Sequence, residues 1–181
     1  MTPHSPDRTA YRTTPAVQIV RASTAAPTYF APAEVDQGTS KIKCIDGGLW
    51  ANNPILPAIA EAVRYCQVPV DRIDVLSIGT TTTEKDFSKM LGGGTVQNVG
   101  PLANLFFACQ ESGASMLADL LLSKARHLRV DRHVNSLSTL DSYKDIPELI
   151  RIGSEVGVET FDLVRSRFFD GFHAKKWEAS T

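Results

Sequence analysis

The chain has 181 residues, of which 43% are hydrophobic and 22% are charged, and its formal net charge is −1. This length allows one domain with a hydrophobic core, and the composition is ordinary for a globular protein. A near-neutral charge, without a long run of Lys or Arg, gives no electrostatic basis for binding nucleic acid.

The N-terminal part of the chain is predicted to be a flexible segment followed by a short helix. Residues 1–14 are polar and contain two prolines, so we expect no regular structure there. Apolar residues recur at helical spacing over residues 15–26, and Pro27 disfavours α geometry at the residue before it. We expect one domain over residues 15–170 and a loose tail over residues 171–181.

The segment KIKCIDGGLWANNP, residues 41–54, predicts a strand, a turn and the start of a helix. Alternation along residues 41–46 favours a strand that ends at Asp46. Open α/β sheets bind ligands at the carboxyl ends of their strands, so Asp46 is a candidate functional residue. Asp-Gly is also a common turn dipeptide, and a purely structural role is consistent with the same residues.

The turn after Asp46 contains residues suited to a sharp change of direction. Gly47 and Gly48 allow backbone angles that other residues avoid and let another group approach the backbone closely. Asn52 or Asn53 is suited to capping the next helix, and Pro54 to its first position. These residues would hold Asp46 in place.

Further along the chain, apolar patterns predict a helix over residues 54–66 and a buried parallel strand within residues 71–80. Together with the strand before Asp46 they would form a right-handed βαβ unit. The glycine triplet in residues 91–95 is not a phosphate loop, because no Lys-Ser or Lys-Thr follows it.

The C-terminal half of the chain is predicted to be mainly helical. A long helix over residues 101–123 has a broad apolar stripe, which favours core packing, with a membrane-facing or acyl-chain-facing surface as the alternative. Residues 127–131 favour a strand, and residues 147–168 favour one or two helices with a break near Gly153 or Gly157.

The three cysteines, Cys44, Cys66 and Cys109, are widely spaced and include no CxxC pair. This pattern favours reduced thiols in a cytoplasmic protein over disulfides or a zinc site. No metal or cofactor is implied. We expect no apolar run to reach the length of a transmembrane helix, and we therefore expect any membrane contact to be peripheral.

Four segments resemble the carboxyl-terminal half of patatin-like phospholipases. They are RASTAAPTYFAP, IDGGLWANNP, DVLSIGT, and LRVD with the following LDSYKDIPELIRIG. A helix of small residues that ends in Ala-Ala-Pro-Thr-Tyr-Phe before a strand ending in Asp-Gly-Gly is a specific combination. The resemblance covers most of the chain.

The resemblance implies an α/β fold that forms part of a three-layer α/β/α sandwich with a mainly parallel central sheet. It implies a lipid acyl hydrolase of phospholipase A type that acts on phospholipids or other acyl esters without a cofactor. In this family a Ser-Asp dyad performs catalysis, and the acid of the Asp-Gly-Gly motif corresponds to Asp46. The turn residues Gly47, Gly48 and Asn53 would shape its site, and Leu105, Phe106 and Cys109 would line an acyl channel.

The sequence departs from the family at the nucleophile. No serine has glycine both two positions before and two positions after it, so the GxSxG elbow is absent, as is the glycine-rich oxyanion loop. We expect this chain alone to be inactive and the missing half to come from the same or a separate chain. The alternatives are an inactive half-domain that binds lipid or regulates a full-length partner, and a cyclic-nucleotide-activated bacterial phospholipase effector.

Overall fold

The structure, a computed structural model, describes residues 13–37, 40–83, 99–134 and 142–171. The chain forms two compact units, the first from Met1–Ile73 with Phe87–Arg126 and the second from Asp74–Asp86 with His127–Thr181. Most of the predicted flexible segment, the glycine triplet and most of the predicted tail lie outside the described residues. Thr14, the last residue of the predicted flexible segment, is buried, and its hydroxyl donates to the Asp36 carbonyl at 3.0 Å.

A helix packed on a hairpin begins the first unit. Helix α1 spans Ala16–Ser23, and strands β1 (Ala33–Asp36) and β2 (Lys41–Cys44) pair in antiparallel register with Ala33 opposite Cys44. The core between the helix and the hairpin consists mainly of small residues. Their short side chains allow the two backbones to approach closely. Its buried members are Ala22, Ala25, Ala33 and Val35, and Ile42 and Cys44 pack against them.

Three helices complete the first unit. A short helix α2 (Gly48–Ala51) leads into α3 (Ile55–Arg64), and α4 (Val99–Leu122) packs against α3. A 3-10 turn, Val70–Arg72, follows α3. Helix α3 buries Ile55 and Ile59, in agreement with the amphipathic pattern of the sequence.

Two parallel strand pairs and one long helix form the second unit. Strand β3 (Val75–Ile78) pairs with β5 (His127–Val130), and β4 (Thr82–Thr83) pairs with β6 (His133–Val134). A 3-10 turn, Tyr143–Asp145, precedes α5 (Ile146–Val164), which continues into a π-helical turn, Arg165–Phe169.

The α/β class is confirmed, but two predictions about the elements are wrong. Strand β2 pairs with β1 and strand β3 with β5, so the two strands belong to different sheets and do not form the predicted βαβ unit. Helix α5 runs unbroken through Gly153 and Gly157, and its irregular turn comes only after Val164. Across the described ranges, the strands form three two-stranded sheets instead of one central sheet, and a three-layer sandwich stays a prediction.

Helix α4 corrects the expectation that no apolar run is long enough to cross a membrane. Its window Leu105–Leu122 has a mean hydropathy of 1.2 and meets the requirement by length and composition alone. Core helices of globular proteins pass the same test but are mostly buried, whereas 11% of this window is buried. Polar side chains of α4 bond to the α2–α3 corner of its own unit.

Candidate active site

Asp46 lies just after β2, at the entrance to α2. Its backbone N–H donates to the Ala25 carbonyl at 2.9 Å, which ties the end of the hairpin to the segment after α1. Two of the segments singled out in the sequence, residues 21–32 and 45–54, therefore meet at this hydrogen bond. The position of Asp46 is fixed by backbone contacts on both sides of the turn.

The two carboxylate oxygens of Asp46 have different surroundings. Oδ1 accepts a hydrogen bond from the Gly48 N–H at 2.7 Å, which fixes the side-chain orientation. Oδ2 has no hydrogen-bond partner or ion pair among the residues that the structure describes. The carboxylate is half-buried. One oxygen is thus used to hold the group, and the other is able to accept a proton.

The two glycines after Asp46 differ in their physical requirement. Gly47 has a φ of −66°, an ordinary helical value, and a Cβ at this position would meet no atom within 4 Å. A Cβ on Gly48 would lie 3.0 Å from Asp46 Oδ1. Glycine is therefore required at position 48, where a side chain would come too close to the Asp46 carboxylate. At position 47 the backbone angle is one that any residue can adopt, so the expected unusual angle is not found there.

Asn53 is buried between the turn and α4. Its side-chain oxygen accepts from the Ile55 N–H at 3.2 Å, next to the helix start, while Pro54 occupies the capping position. Its amide nitrogen donates to Glu111 Oε1 at 3.1 Å and to Ser115 Oγ at 3.2 Å. Asn53 therefore joins the start of α3 to the middle of α4.

A second amide on α4 holds the other side of this corner. Gln110 donates from Nε2 to the Leu49 carbonyl at 3.2 Å and accepts at Oε1 from the Asn52 N–H at 3.2 Å. Sequence reasoning missed this set because it followed only the apolar stripe of α4. The polar run Gln-Glu-Ser, residues 110–112, inside an otherwise apolar helix was the available signal.

The predicted acyl-channel residues lie on α4, N-terminal to Gln110. Leu105 is half-buried, Phe106 is 49% exposed, and Cys109 is exposed with a free thiol. Phe106 and Gln110 are four residues apart and so share a helix face. Gln110 on that face bonds to the corner between α2 and α3. The exposed Phe106 ring therefore lies one helical turn from this corner.

Metal ligation has no candidate in the described ranges, where no cluster of three or more His, Cys, Asp or Glu could hold an ion. The chemistry available at the turn is proton acceptance by a carboxylate. A fixed carboxylate with one unpaired oxygen can serve as a general base if a hydroxyl is brought within hydrogen-bond reach.

Comparison with known families gives a match to the N-terminal part of the chain. Residues 1–59 match the family model of patatin-like phospholipases. This part of the chain is patatin-like. The match covers α1, the hairpin, Asp46, Gly47, Gly48 and Asn53, and it confirms the resemblance that the motifs indicated.

The patatin-like segment, residues 1–59, links the chain to a family of lipid hydrolases that act on acyl esters. The later segments DVLSIGT and LRVD lie outside the match, and their assignment stays a prediction. No curated protein matches the chain.

Proposed function

We propose that this chain supplies the acid of a Ser-Asp dyad to a lipid acyl hydrolase of phospholipase A type, with Asp46 as the general base. The observation that carries the proposal is the asymmetric carboxylate, in which Oδ1 is held by the Gly48 N–H and Oδ2 is unpaired within the described residues. It lies within the patatin-like segment.

The mechanism follows from the weakness of a serine hydroxyl as a nucleophile. As its oxygen attacks the ester carbonyl, Asp46 takes the hydroxyl proton, and the departing alcohol takes that proton when the ester bond breaks. Asp46 then takes a proton from water as the water oxygen attacks the acyl-serine, and it gives that proton to the serine oxygen when the fatty acid is released. Asp46 needs no histidine between itself and the serine.

The serine and the oxyanion donors come from outside these 181 residues, in the same or a separate chain, because the sequence contains no GxSxG elbow. Joined to that half, the elements would complete a three-layer α/β/α sandwich. Leu105, Phe106 and Cys109 are proposed to line the acyl channel. The assembled enzyme is proposed to be cytoplasmic and peripheral to the membrane, where its phospholipid substrate lies.

The first test is labelling of the purified chain with a fluorophosphonate, followed by intact mass of every polypeptide present. An adduct on a co-purifying second chain is the expected result for a split hydrolase. An adduct on this chain would mean that its nucleophile has been misassigned. A single unlabelled mass favours the second candidate function described below.

The second test substitutes Asp46→Asn in the complete hydrolase, assayed with a fluorogenic phospholipid. The amide keeps an oxygen for the Gly48 N–H, so the turn is retained while the proton acceptor is lost. We expect a loss of turnover of at least about 100-fold, the usual scale of general-base catalysis. Asp71→Asn, an exposed acid in the same unit, is the matched control and should retain activity. Retained turnover in Asp46→Asn would contradict the proposal.

A second candidate function is a non-catalytic half-domain that binds lipid or regulates a full-length relative. The absence of GxSxG favours it, because Asp46 without a serine has no nucleophile to activate. This function predicts that the chain binds a full-length hydrolase of the family and alters its rate. The Asp46→Asn variant should then do so as well as the unmodified chain.

A further inference from the structure

Helix α5 carries an apolar stripe that is largely exposed. Residues three or four positions apart share one face of a helix, and the stripe runs along Ile150, Gly153, Gly157, Phe161 and Val164. Ile150 is 64% exposed and Phe161 is 60% exposed, and both glycines are exposed as well. This part of the second unit therefore presents an apolar surface to solvent.

The charged residues of α5 lie on the opposite face of the helix. They are Glu148, Arg151, Glu155, Glu159 and Asp162, which the 3.6-residue repeat places on the side away from the stripe. An uncharged stripe can pack against an identical stripe without repulsion. Four acids and one base on the polar face oppose contact with an anionic bilayer, which attracts helices rich in Lys and Arg. The charge pattern therefore favours a protein partner over a membrane.

The groove beside the stripe is apolar and open. It lies at the carboxyl ends of β3 and β5, and Gly153, Gly157 and Phe161 form part of its wall. Ile78, which also lines the groove, is 71% exposed. Because exposed side chains stand on both sides of it, the groove can receive a surface as wide as another helix.

The charged groups at the strand ends of the groove already have partners. Asp131 Oδ1 accepts from the Thr81 N–H at 3.1 Å and from the Arg132 N–H at 2.8 Å. Asp131 Oδ2 pairs with Arg129 at 2.7 Å, and Arg132 pairs with Glu159. Thr81 is held there with a φ of +94°, an unusual value for a β-branched residue. These charges are used within the unit, so the groove offers a partner mainly apolar side chains.

The stripe is complementary to itself when two copies of α5 run antiparallel. A two-fold axis at Gly157 places each residue opposite the one at the same distance on the other side of position 157. Phe161 then faces the partner's Gly153, and Ile150 faces the partner's Val164. A Cβ at Gly153 would meet no atom within 4 Å, so there is open space for the Phe161 ring. The largest side chain of the stripe thus meets an open position, twice in each dimer.

Gly157 would lie at the crossing point of the two helices. A Cβ at this position also meets no atom within 4 Å of its own chain. Glycine at a crossing point lets two helix backbones approach more closely than the usual distance of about 8–10 Å between axes. The helix retains two glycines here although glycine lowers helix propensity.

We propose that this chain forms a two-fold symmetric dimer through the α5 stripe, with the two α5 helices antiparallel and crossing at Gly157. The stripe from Ile150 to Val164 is about 21 Å long at 1.5 Å per residue. A helix pair of this length buries less than the roughly 800 Å² per partner of a standard interface, so we expect a reversible dimer with a micromolar Kd. The surface belongs to the second unit and does not depend on the chemistry proposed for Asp46.

The first test is sedimentation velocity of the full chain over a range of micromolar concentrations. A monomer–dimer equilibrium is the expected result. A monomer at every concentration would overturn the proposal. So would a chain that binds phosphatidylglycerol vesicles instead of dimerising, because the stripe would then be a membrane contact.

Exchanging the ring and the space that receives it tests the pairing. Phe161→Ala removes the ring and Gly153→Phe fills the space, so each single change should weaken dimerisation by about 10-fold or more. The double variant Gly153→Phe/Phe161→Ala again places a ring opposite a small residue, and should restore dimerisation to within about 3-fold of the unmodified chain. Restoration also shows that the single variants do not fail by misfolding. Normal dimerisation of both single variants, or a double variant as weak as either of them, would overturn the pairing.

Gly157→Cys locates the axis. The exposed thiols are first removed by Cys66→Ser and Cys109→Ser. The two thiols at position 157 then face each other across the axis and should form a disulfide on mild oxidation, which requires Cα atoms about 4.4–6.8 Å apart. Val158→Cys is the matched control, since Val158 is 81% exposed on the same helix but lies off the stripe. Equal cross-linking of the two variants would overturn the crossing point. Asp46→Asn should dimerise normally, so failure of the dyad and failure of the dimer are distinguished.

Discussion

At the scale of single residues, Asn52 and Asn53 are neighbours with different roles. Asn53 is 6% exposed and makes three side-chain hydrogen bonds, whereas Asn52 contributes its backbone N–H to Gln110 and has an exposed side chain. The sequence suggested either residue as the cap. Only burial distinguishes them, and burial depends on α4, which is distant in the chain.

We predict that Asn53→Ala lowers the free energy of unfolding by about 1–3 kcal/mol, because it removes the hydrogen bonds of Asn53 to the Ile55 N–H and to two side chains of α4. Urea denaturation followed by circular dichroism measures this change. Asn52→Ala should stay within about 0.5 kcal/mol of the unmodified chain. Equal effects of the two substitutions would contradict the role given to Asn53.

The glycine pair gives a second prediction at this scale. Gly48→Ala places a Cβ 3.0 Å from Asp46 Oδ1, so the carboxylate must move by a few tenths of an ångström. We expect a drop of about 10-fold in turnover of the complete hydrolase, since small displacements of catalytic groups are costly. Gly47→Ala meets no atom and should leave both turnover and stability unchanged. Full activity of Gly48→Ala would contradict the prediction.

Asp46 could be singled out from the sequence because a local motif encodes it. The residues that hold the surrounding corner could not, since Gln110, Glu111 and Ser115 are more than fifty positions away from their partners. Thr81 was also missed, because a left-handed threonine has no signature in a sequence.

At the scale of elements, the first turns of α5 carry an ion-pair cluster. Arg151 donates to both oxygens of Glu148, at 2.8 and 2.6 Å, and also pairs with Glu155 one turn later. The hydrogen bonds from Arg151 lower the pKa of the Glu148 carboxyl below its usual value. The same contacts raise the pKa of Arg151.

A lowered carboxyl pKa contributes stability above the unfolded-state pKa, and this contribution is lost as the pH falls through the folded-state value. We predict that Glu148→Gln destabilises α5 slightly at neutral pH and that the difference disappears on acidification below about pH 4. Salt should reduce it as well, because the pair is exposed. Denaturation curves at several pH values measure the difference in the free energy of unfolding between Glu148→Gln and the unmodified chain. Glu61→Gln, whose carboxylate has no ion pair in the described residues, is the control.

Periodicity predicted the helices well and the strand pairing poorly. The bounds of α3, α4 and β5 agree with their patterns to within two residues, because each pattern is local, whereas α1 ends at Ser23, three residues before its predicted end. Strand pairing depends on which other strands are present in the fold. Strand β2 pairs with β1, and the apolar pattern of the sequence did not predict β1. The break predicted in α5 is absent because a helix tolerates two glycines when its remaining residues favour it.

At the scale of the whole molecule, each sheet in the described residues has only two strands. Strands β3 and β5 form a two-stranded parallel sheet, an arrangement that is weak alone and exposes unpaired backbone groups. Ile78 at the end of β3 is 71% exposed. These features favour association, either with a complementary half or with another copy.

We predict that the isolated chain associates as its concentration rises, as measured by sedimentation velocity. Ile78→Lys should reduce this association because a charge at a strand edge opposes pairing. Val158→Lys is the control, since Val158 is 81% exposed on α5 and belongs to no strand. A monomer at all concentrations would contradict the prediction.

Predictions about whole sheets depend on how the strands assemble, which local sequence patterns do not specify. The motifs of the patatin-like segment indicated a family of lipid hydrolases, and the match to residues 1–59 agrees with that family. The number of strands in a sheet is a property of the assembled fold, so residues 41–80 alone could not determine it.

The contacts of Gln110 and Asn53 have different consequences for how these positions evolve. Among the residues that the structure describes, the Gln110 side chain bonds only to backbone atoms, the Leu49 carbonyl and the Asn52 N–H. An amide at position 110 should therefore be retained whatever side chains stand at positions 49 and 52. Substitutions there other than proline preserve the backbone carbonyl and N–H to which the amide bonds. Asn53 bonds to the side chains of Glu111 and Ser115, so positions 53, 111 and 115 should change together.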